Sequence, residues 1–533
     1  MLKTAILSAI FAVFGLNNKD IPKASDELTA ALKELEKKGS SLTQADAAPI
    51  IEKIKALANK DDKDALFVLG QLIENGTLSG GTPQQSLEQA VQLYKKAADA
   101  GHPAAKNSLG TILLKAGAQD PKNVEAAVKY IKEAYEAGSK PALRNWATLV
   151  ATGTGTGQPA APDDADKLLK KAIEDGDGDA ALLLSQFYSG LGGHPKKDKE
   201  ALQFLAKADE LGSEAATNLL GQRYLTGGEE GKDKQPEKAK ELFEKAIEKY
   251  DSAIAHRNKG AMIEAGMGGY TKDEEKALKE YEKAAKGNDA LAQNRVGNYF
   301  EQPEKKDGPP RDEKQALEWY RRAAQNGLSV ASYNVGIFYE TGRIVDRDPA
   351  KAFAYFLQAA QNNLPLAQGK VGAYYLNGTG VLRDPVAAMS WLDSAAKGGV
   401  PESQLTLGLI YENQQKYTEA GSLFELASNS KQPIAMLKLA SLYSRGLGRD
   451  KNLVKAYVLA ARATKLYPQG EPVVKELEKM LSKEELAKAT EELKKEPEET
   501  KPTTASETAA PSTSKEPVKE STTTKKPPVK PKK

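Results

Sequence analysis

A stretch beginning at Val335, VGIFYETGRIVDRDPAKAFAYFLQAAQNN, returns thirty-six residues later from Val371 as VGAYYLNGTGVLRDPVAAMSWLDSAAKGG, with eleven of twenty-nine positions identical. A period of this length constrains the fold more than any bulk property does. It marks a supersecondary unit that cannot bury its own apolar face and must stack on copies of itself. The period can be walked by one landmark, a small residue that usually follows leucine or valine: Gly70, Gly110, Ala147, Ser185, Gly221, Gly260, Gly297, Gly336, Gly372, Gly408 and Ala440. These define units 1 to 11, spaced mostly 36 to 40 residues apart, with a last step of 32.

Each unit reads as two helices. Ala331, Val335 and Tyr339 recur at spacings of four, which puts them on one face of a first helix. Gly342 ends that helix as a left-handed cap, because glycine takes positive φ without a Cβ clash. Asp348 then caps a second helix and Pro349 fills its first position, where the missing amide costs nothing; Asp384 and Pro385 repeat this grammar. Ala352, Tyr355, Phe356, Ala359 and Ala360 supply the apolar stripe of the second helix.

This pattern of Leu-Gly or Val-Gly, Tyr three residues on, Gly six on, a loop ending in Asp, and a helix closing in Ala-Ala resembles the Sel-1-like repeat family, relatives of the tetratricopeptide repeat. The resemblance covers about Asp64 to Gly470, although Ala147, Ser185 and Ala440 replace the glycine and the unit from Pro401 lacks the usual loop. It implies an all-α, right-handed α-solenoid of about eleven helix pairs whose curved surface holds other proteins. It brings no catalytic residues with it.

The ends read differently. Lys3 followed by the apolar run Ala5–Leu16 fits a secretory signal over residues 1–20, cleaved near Gly15. The expected setting is therefore export, periplasmic or secreted, from a bacterial cell; without a signal the chain is cytoplasmic. No other segment is apolar enough to cross a membrane. Residues 21–63 are expected to form capping helices (Ser25–Gly39 and Thr43–Asn59), residues 64–470 the array, and 471–495 further capping helices. From 496 to 533 the chain is rich in Thr, Pro and Lys without an aromatic residue, and reads as disordered. Its five lysines after Thr522 suit weak contact with an anionic surface.

Little here supports chemistry. Lysine and arginine (76) nearly balance aspartate and glutamate (73), so nothing points to nucleic acid. There is no cysteine, and His102, His194 and His256 lie in separate units without helical pairing, so they read as surface or loop residues and not as a metal or acid–base site. Gly153–Gly157, GTGTG, resembles a phosphate loop but stands where the unit's ordinary loop belongs. Ser394 and Lys397 match Ser-x-x-Lys without the companion motifs. Asn75 and Asn377 begin glycosylation sequons at places where Asn-Gly also caps a helix. No cofactor or metal is expected.

One pattern is a candidate site. Positions −3, +1 and +4 from the landmark share a first-helix face. They read Asn107 and Thr111, then Asn218 and Gln222, then Asn294, Asn298 and Glu301, with glutamate recurring at +4 as Glu74, Glu264, Glu340 and Glu412. The expectation is a non-enzymatic scaffold that binds protein or peptide partners along this stripe. An exported cell-wall hydrolase and a eukaryotic secretory-pathway luminal adaptor stand as alternatives.

Overall fold

The computed structural model describes residues 27–28, 44–74, 78, 83–116, 120–227, 234–302 and 312–495. The expected signal, the Ser25–Gly39 helix apart from residues 27–28, the Asn75 sequon and the tail over 496–533 lie outside the described residues. Among the described residues every regular element is a helix, and eleven helix pairs follow Gln44–Ala58, one pair for each landmark. The pairs used below are unit 5 (Glu214–Thr226, Pro236–Tyr250), unit 6 (Ala253–Ala265, Glu274–Lys286), unit 7 (Ala290–Glu301, Glu313–Gln325) and unit 8 (Ser329–Thr341, Pro349–Gln361). Glu471–Met480 and Lys483–Lys494 come after the last pair.

The chain forms two compact parts, Met1–Asp289 with units 1 to 6 and Ala290–Lys533 with units 7 to 11. Within each part a second helix packs on its own first helix and on the first helix of the next unit, which is the nearest-neighbour stacking of a repeat solenoid.

The landmark has a steric cause. A Cβ at Gly336 would lie 2.6 Å from the Phe356 ring, and at Gly297 2.6 Å from Tyr320. The missing side chain lets a large ring of the second helix lie against the first helix backbone. Phe356 and Tyr320 are fully buried there, each burial stabilising by roughly 1.5–3 kcal/mol. In unit 4 the landmark Ser185 is itself buried, and its Oγ donates to the Ala201 carbonyl of the second helix at 2.7 Å.

The caps follow the sequence grammar. Gly342 closes its helix at φ 73, and the Asp348 side chain accepts from the Lys351 amide with Pro349 in the first turn. GTGTG is a packed turn: Gly155 has φ 63, and a Cβ there would fall 2.5 Å from Val124 of the preceding second helix. Lys397 pairs with Asp393, while the Ser394 hydroxyl donates to the Ser390 carbonyl, so the Ser-x-x-Lys match assembles no nucleophile.

Candidate partner-binding face

The stripe begins as helix geometry. Residues at −3, +1 and +4 fall on one side of each first helix, and the units stack, so the stripe runs from helix to helix within each part. The +4 glutamates are held from their own second helix, from the next unit or, at Glu301, from both. The Glu74 carboxylate accepts from the Tyr94 hydroxyl at 2.5 Å and Glu264 from Tyr281 at 2.8 Å. Glu301 accepts from Tyr320 at 2.7 Å and from Arg343 of unit 8, also at 2.7 Å. Where the second-helix ring is a phenylalanine, the donor comes from the next unit: Lys370 and Tyr374 serve Glu340 at 2.7 and 3.1 Å, and Lys438 serves Glu412 at 2.8 Å. Burial, with the charge and hydrogen bond of Glu301, pushes the Tyr320 hydroxyl far above the ordinary tyrosine range, so it remains a donor.

The −3 residues tie neighbouring units. Asn107 Oδ1 accepts from Asn145 at 2.8 Å, Asn294 Oδ1 from Asn334 at 3.2 Å, and Asn218 Nδ2 donates to Ser252 Oγ at 3.0 Å. At +1, the Asn298 amide oxygen also accepts from Tyr320 at 2.7 Å, the Thr111 hydroxyl donates to the Ser108 carbonyl, and Gln222 is half-buried.

The stripe is therefore less open than its sequence pattern implies. Asn107 and Asn218 are buried, and Asn294, Asn298, Glu301 and Glu340 are half-buried. Polar side chains at these depths need partners, and the stacked units supply them. Accessible positions on the first helices include Gln186 at +1 of unit 4, Leu219, and the aliphatic Ile254, Leu291 and Ile434 six residues before their landmarks.

The histidine expectation is corrected. His102, His194 and His256 are 5–7% exposed. The rings of His102 and His194 stack on Phe67 and Phe187 with centroids 4.5 and 4.3 Å apart, and each faces a carboxylate: Asp64 at 3.2 Å, Asp166 at 3.8 Å and, for His256, Glu280 at 2.6 Å. Aromatic stacking and a charge partner make burial favourable, and neither is adjacent in sequence. Among the described residues no cluster of three or more His, Asp or Glu is arranged to hold a metal.

Sequence reasoning also passed over the arginine ties. Arg144 at −3 of unit 3 bonds both oxygens of Asp177, the cap of the next first helix, at 3.0 and 2.8 Å, and Arg257 at −3 of unit 6 meets Asp289 at 3.1 Å. The arginines and aspartates stand about thirty-three residues apart, and periodicity within a unit does not report a contact between neighbouring helices.

The Sel1 repeat model matches residues 63–102, 103–139, 178–213, 215–251, 253–289, 290–328, 329–364, 365–400 and 433–467, more than half of the chain. The segments it leaves, around Ala147 and Gly408, hold one of the three replaced landmarks and the missing loop, yet both fold as helix pairs. No curated protein matches the chain. Among solved structures, a protective antigen of uropathogenic Escherichia coli displaying an SLR fold is 23% identical, with a TM-score of 0.51 over 83% of this chain and 93% of that one. A Sel1 repeat protein from Oxalobacter formigenes is 25% identical, with a TM-score of 0.41 over 58% of this chain and 89% of that one.

Proposed function

The chain belongs to the Sel1 repeat family, whose members are generally protein-interaction scaffolds, and from that premise we propose that it holds a protein or peptide partner along its first-helix stripe without catalysing a reaction. The observation that carries this reading is the fixing of the stripe: side chains held by neighbouring units lose little freedom on binding, which lowers the entropic cost of association. Residues of the ladder such as Asn298 and Glu301 then set the shape of the face, while accessible neighbours such as Gln186 and Gln222 make contact. Export is part of the same proposal, motivated by Lys3 and the apolar run Ala5–Leu16; N-terminal sequencing of protein from its native source tests it, with retention of Met1 counting against cleavage.

The test of the face uses a partner recovered by pull-down with the full chain and titrated against two variants. Gln186→Arg with Gln222→Arg places bulk and charge on the face without removing a ladder bond, and is expected to weaken binding at least tenfold, about 1.4 kcal/mol. Deletion of Thr500–Lys533 is expected to change affinity little. The reverse result, binding lost with the tail and kept with the double substitution, sinks the reading.

A further inference from the structure

The three buried histidines differ in what their nitrogens require. His102 is complete as a neutral ring: Nδ1 accepts from the Ala105 amide at 3.1 Å, and Nε2 carries its proton toward Asp64 at 3.2 Å. His256 has no such solution. Its Nδ1 lies 2.6 Å from Glu280 Oε2 and its Nε2 lies 3.3 Å from Asp251 Oδ1. An ionised carboxylate only accepts, so both contacts are hydrogen bonds only when each ring nitrogen bears a proton.

We propose that His256 is a proton-operated latch that holds the turn between units 5 and 6 through Asp251 and releases it when Nε2 loses its proton. The order of release follows from burial. The Glu280 side chain is 12% exposed and that of Asp251 is 89% exposed, so water replaces the ring at Asp251 readily and at Glu280 poorly. The charged groups around Glu280 act in the same direction. Burial works to raise its carboxyl, but the bonds from His256 and Lys283 and the charges of Lys283 and Lys259 prevail and hold it at about 2, so it stays ionised as an acceptor. Tyr270, which also feels Glu280, has its hydroxyl committed to Glu244 at 2.7 Å.

The turn lies next to the face. Asp251 is the left-handed C-cap of the unit 5 second helix at φ 52; its amide donates to the Ala246 and Ile247 carbonyls, and the ring contact adds a side-chain tie to these. The next residue, Ser252, caps the first helix of unit 6 and accepts from Asn218 of the stripe at 3.0 Å. Release at Asp251 therefore reaches the proposed partner face within one residue. The latch stands on its own geometry; only its effect on binding rests on the partner-face reading.

The repeat itself supplies the control. His256 stands four residues before its landmark, where units 7, 9 and 10 have Gln293, Gln368 and Gln404. Gln368 and Gln404 donate from there to carbonyls of the preceding second helix, Ala360 and Ala396, at 3.5 and 3.0 Å. His256→Gln thus places at this position a side chain that the fold already uses there, one that does not titrate.

The experiment is nitrogen and amide NMR of the full chain from about pH 5.5 to 8.5, the range in which imidazoles titrate. The expected result is a ring protonated on both nitrogens at the low end and the Nδ1–H tautomer at the high end. The backbone amides of Asp251 and Ser252 and the side-chain amide of Asn218 should shift with the same midpoint. In His256→Gln the fold is kept and those shifts are lost; in Asp251→Asn the ring still titrates while the turn stops following it. An Nε2–H tautomer, or a turn that ignores the ring in the native chain, overturns the latch. If the turn follows the ring but the affinity of a recovered partner does not change with it, the latch stands and the partner face lies elsewhere.

Discussion

The two compact parts of the chain use the same stacking grammar to bury different chemistry. Units 1 to 6 bury Asp64, His102, Asp166, Asp177, His194 and His256, whereas among the described residues the buried polar residues of units 7 to 11 are Gln293, Ser332, Gln368, Ser403, Gln404 and Ser428, all neutral. Position −4 makes the contrast direct, with His256 in one part and glutamine three times in the other. His256 ties its unit to the preceding turn through Asp251, and Gln368 and Gln404 tie theirs to the preceding second helix. An amide does so at any pH, while an imidazole does so according to its protons. The parts should therefore respond alike to packing changes and differently to protons.

The largest effect tests the packing they share. Gly336→Ala puts a Cβ 2.6 Å from the Phe356 ring, so ring and helix must move apart, at a cost of about 2–3 kcal/mol despite the better helix propensity of alanine. Ala147→Gly in the first part should cost less, about 1–2 kcal/mol, because no ring is forced away and what is lost is helix propensity and one buried methyl. Urea unfolding of both variants measures this. Equal costs would mean that the landmark is not a ring-packing site.

Next comes the ladder. Glu301→Ala takes one acceptor from the buried Tyr320 hydroxyl and an ion-pair partner from Arg343, with Asn298 and Glu313 remaining to them, for a loss of about 1–3 kcal/mol. Lys370→Met in the same part leaves Glu340 with Tyr374 and should cost less, about 1 kcal/mol. If thermal unfolding shows no loss for Glu301→Ala, the stripe is a solvated surface and not a ladder.

How much of this was legible follows from where each cause resides. The helix pairs, the Gly342 and Asp348 caps and the register of eleven units depend on residues within one period, so periodicity and capping chemistry reached them. The stripe residues were found as a pattern, but their partners were not. Glu340 is bonded by Lys370 and Tyr374 from the next unit, thirty or more residues along, and periodicity reports a face without reporting what lies against it. One clue was available: tyrosine in the second helix accompanies glutamate at +4 in units 1, 6 and 7, as Tyr94 with Glu74, Tyr281 with Glu264 and Tyr320 with Glu301. The histidines were misjudged for the same reason, since the burial of His102 depends on Phe67 and Asp64 from the opposite end of its unit.

Acid separates the parts. The Glu280 carboxyl is held at about 2 in the fold against an ordinary value near 4.5. A depressed carboxyl contributes stability that is fully present above its unfolded value and is lost as pH falls through the folded one. Between about pH 4.5 and 2, unit 6 should lose of order 1 kcal/mol or more through this group. Hydrogen exchange compared at pH 6 and pH 3, corrected for intrinsic rates, is expected to show a larger loss of protection in peptides from units 5 and 6 than in those from units 8 and 9. An equal loss in both would erase the distinction drawn from buried chemistry.

The smallest effect should be the same in both parts. Asp273 caps the second helix of unit 6 and Asp348 that of unit 8, each accepting from the amide three residues on, from Lys276 and Lys351. Those bonds lower both carboxyls below the ordinary range, so each cap works across the neutral region and weakens only in acid. Asp273→Ala and Asp348→Ala should each destabilise the chain by a small and equal amount at neutral pH. The cap belongs to the grammar of the unit, and nothing in the chemistry that distinguishes the parts touches it. Matched losses in urea unfolding would confine the difference between the parts to their interiors. A loss at Asp273 twice that at Asp348 would mean that the His256 and Glu280 network reaches the helix terminus, and the boundary drawn here between shared frame and private core would have to move outward.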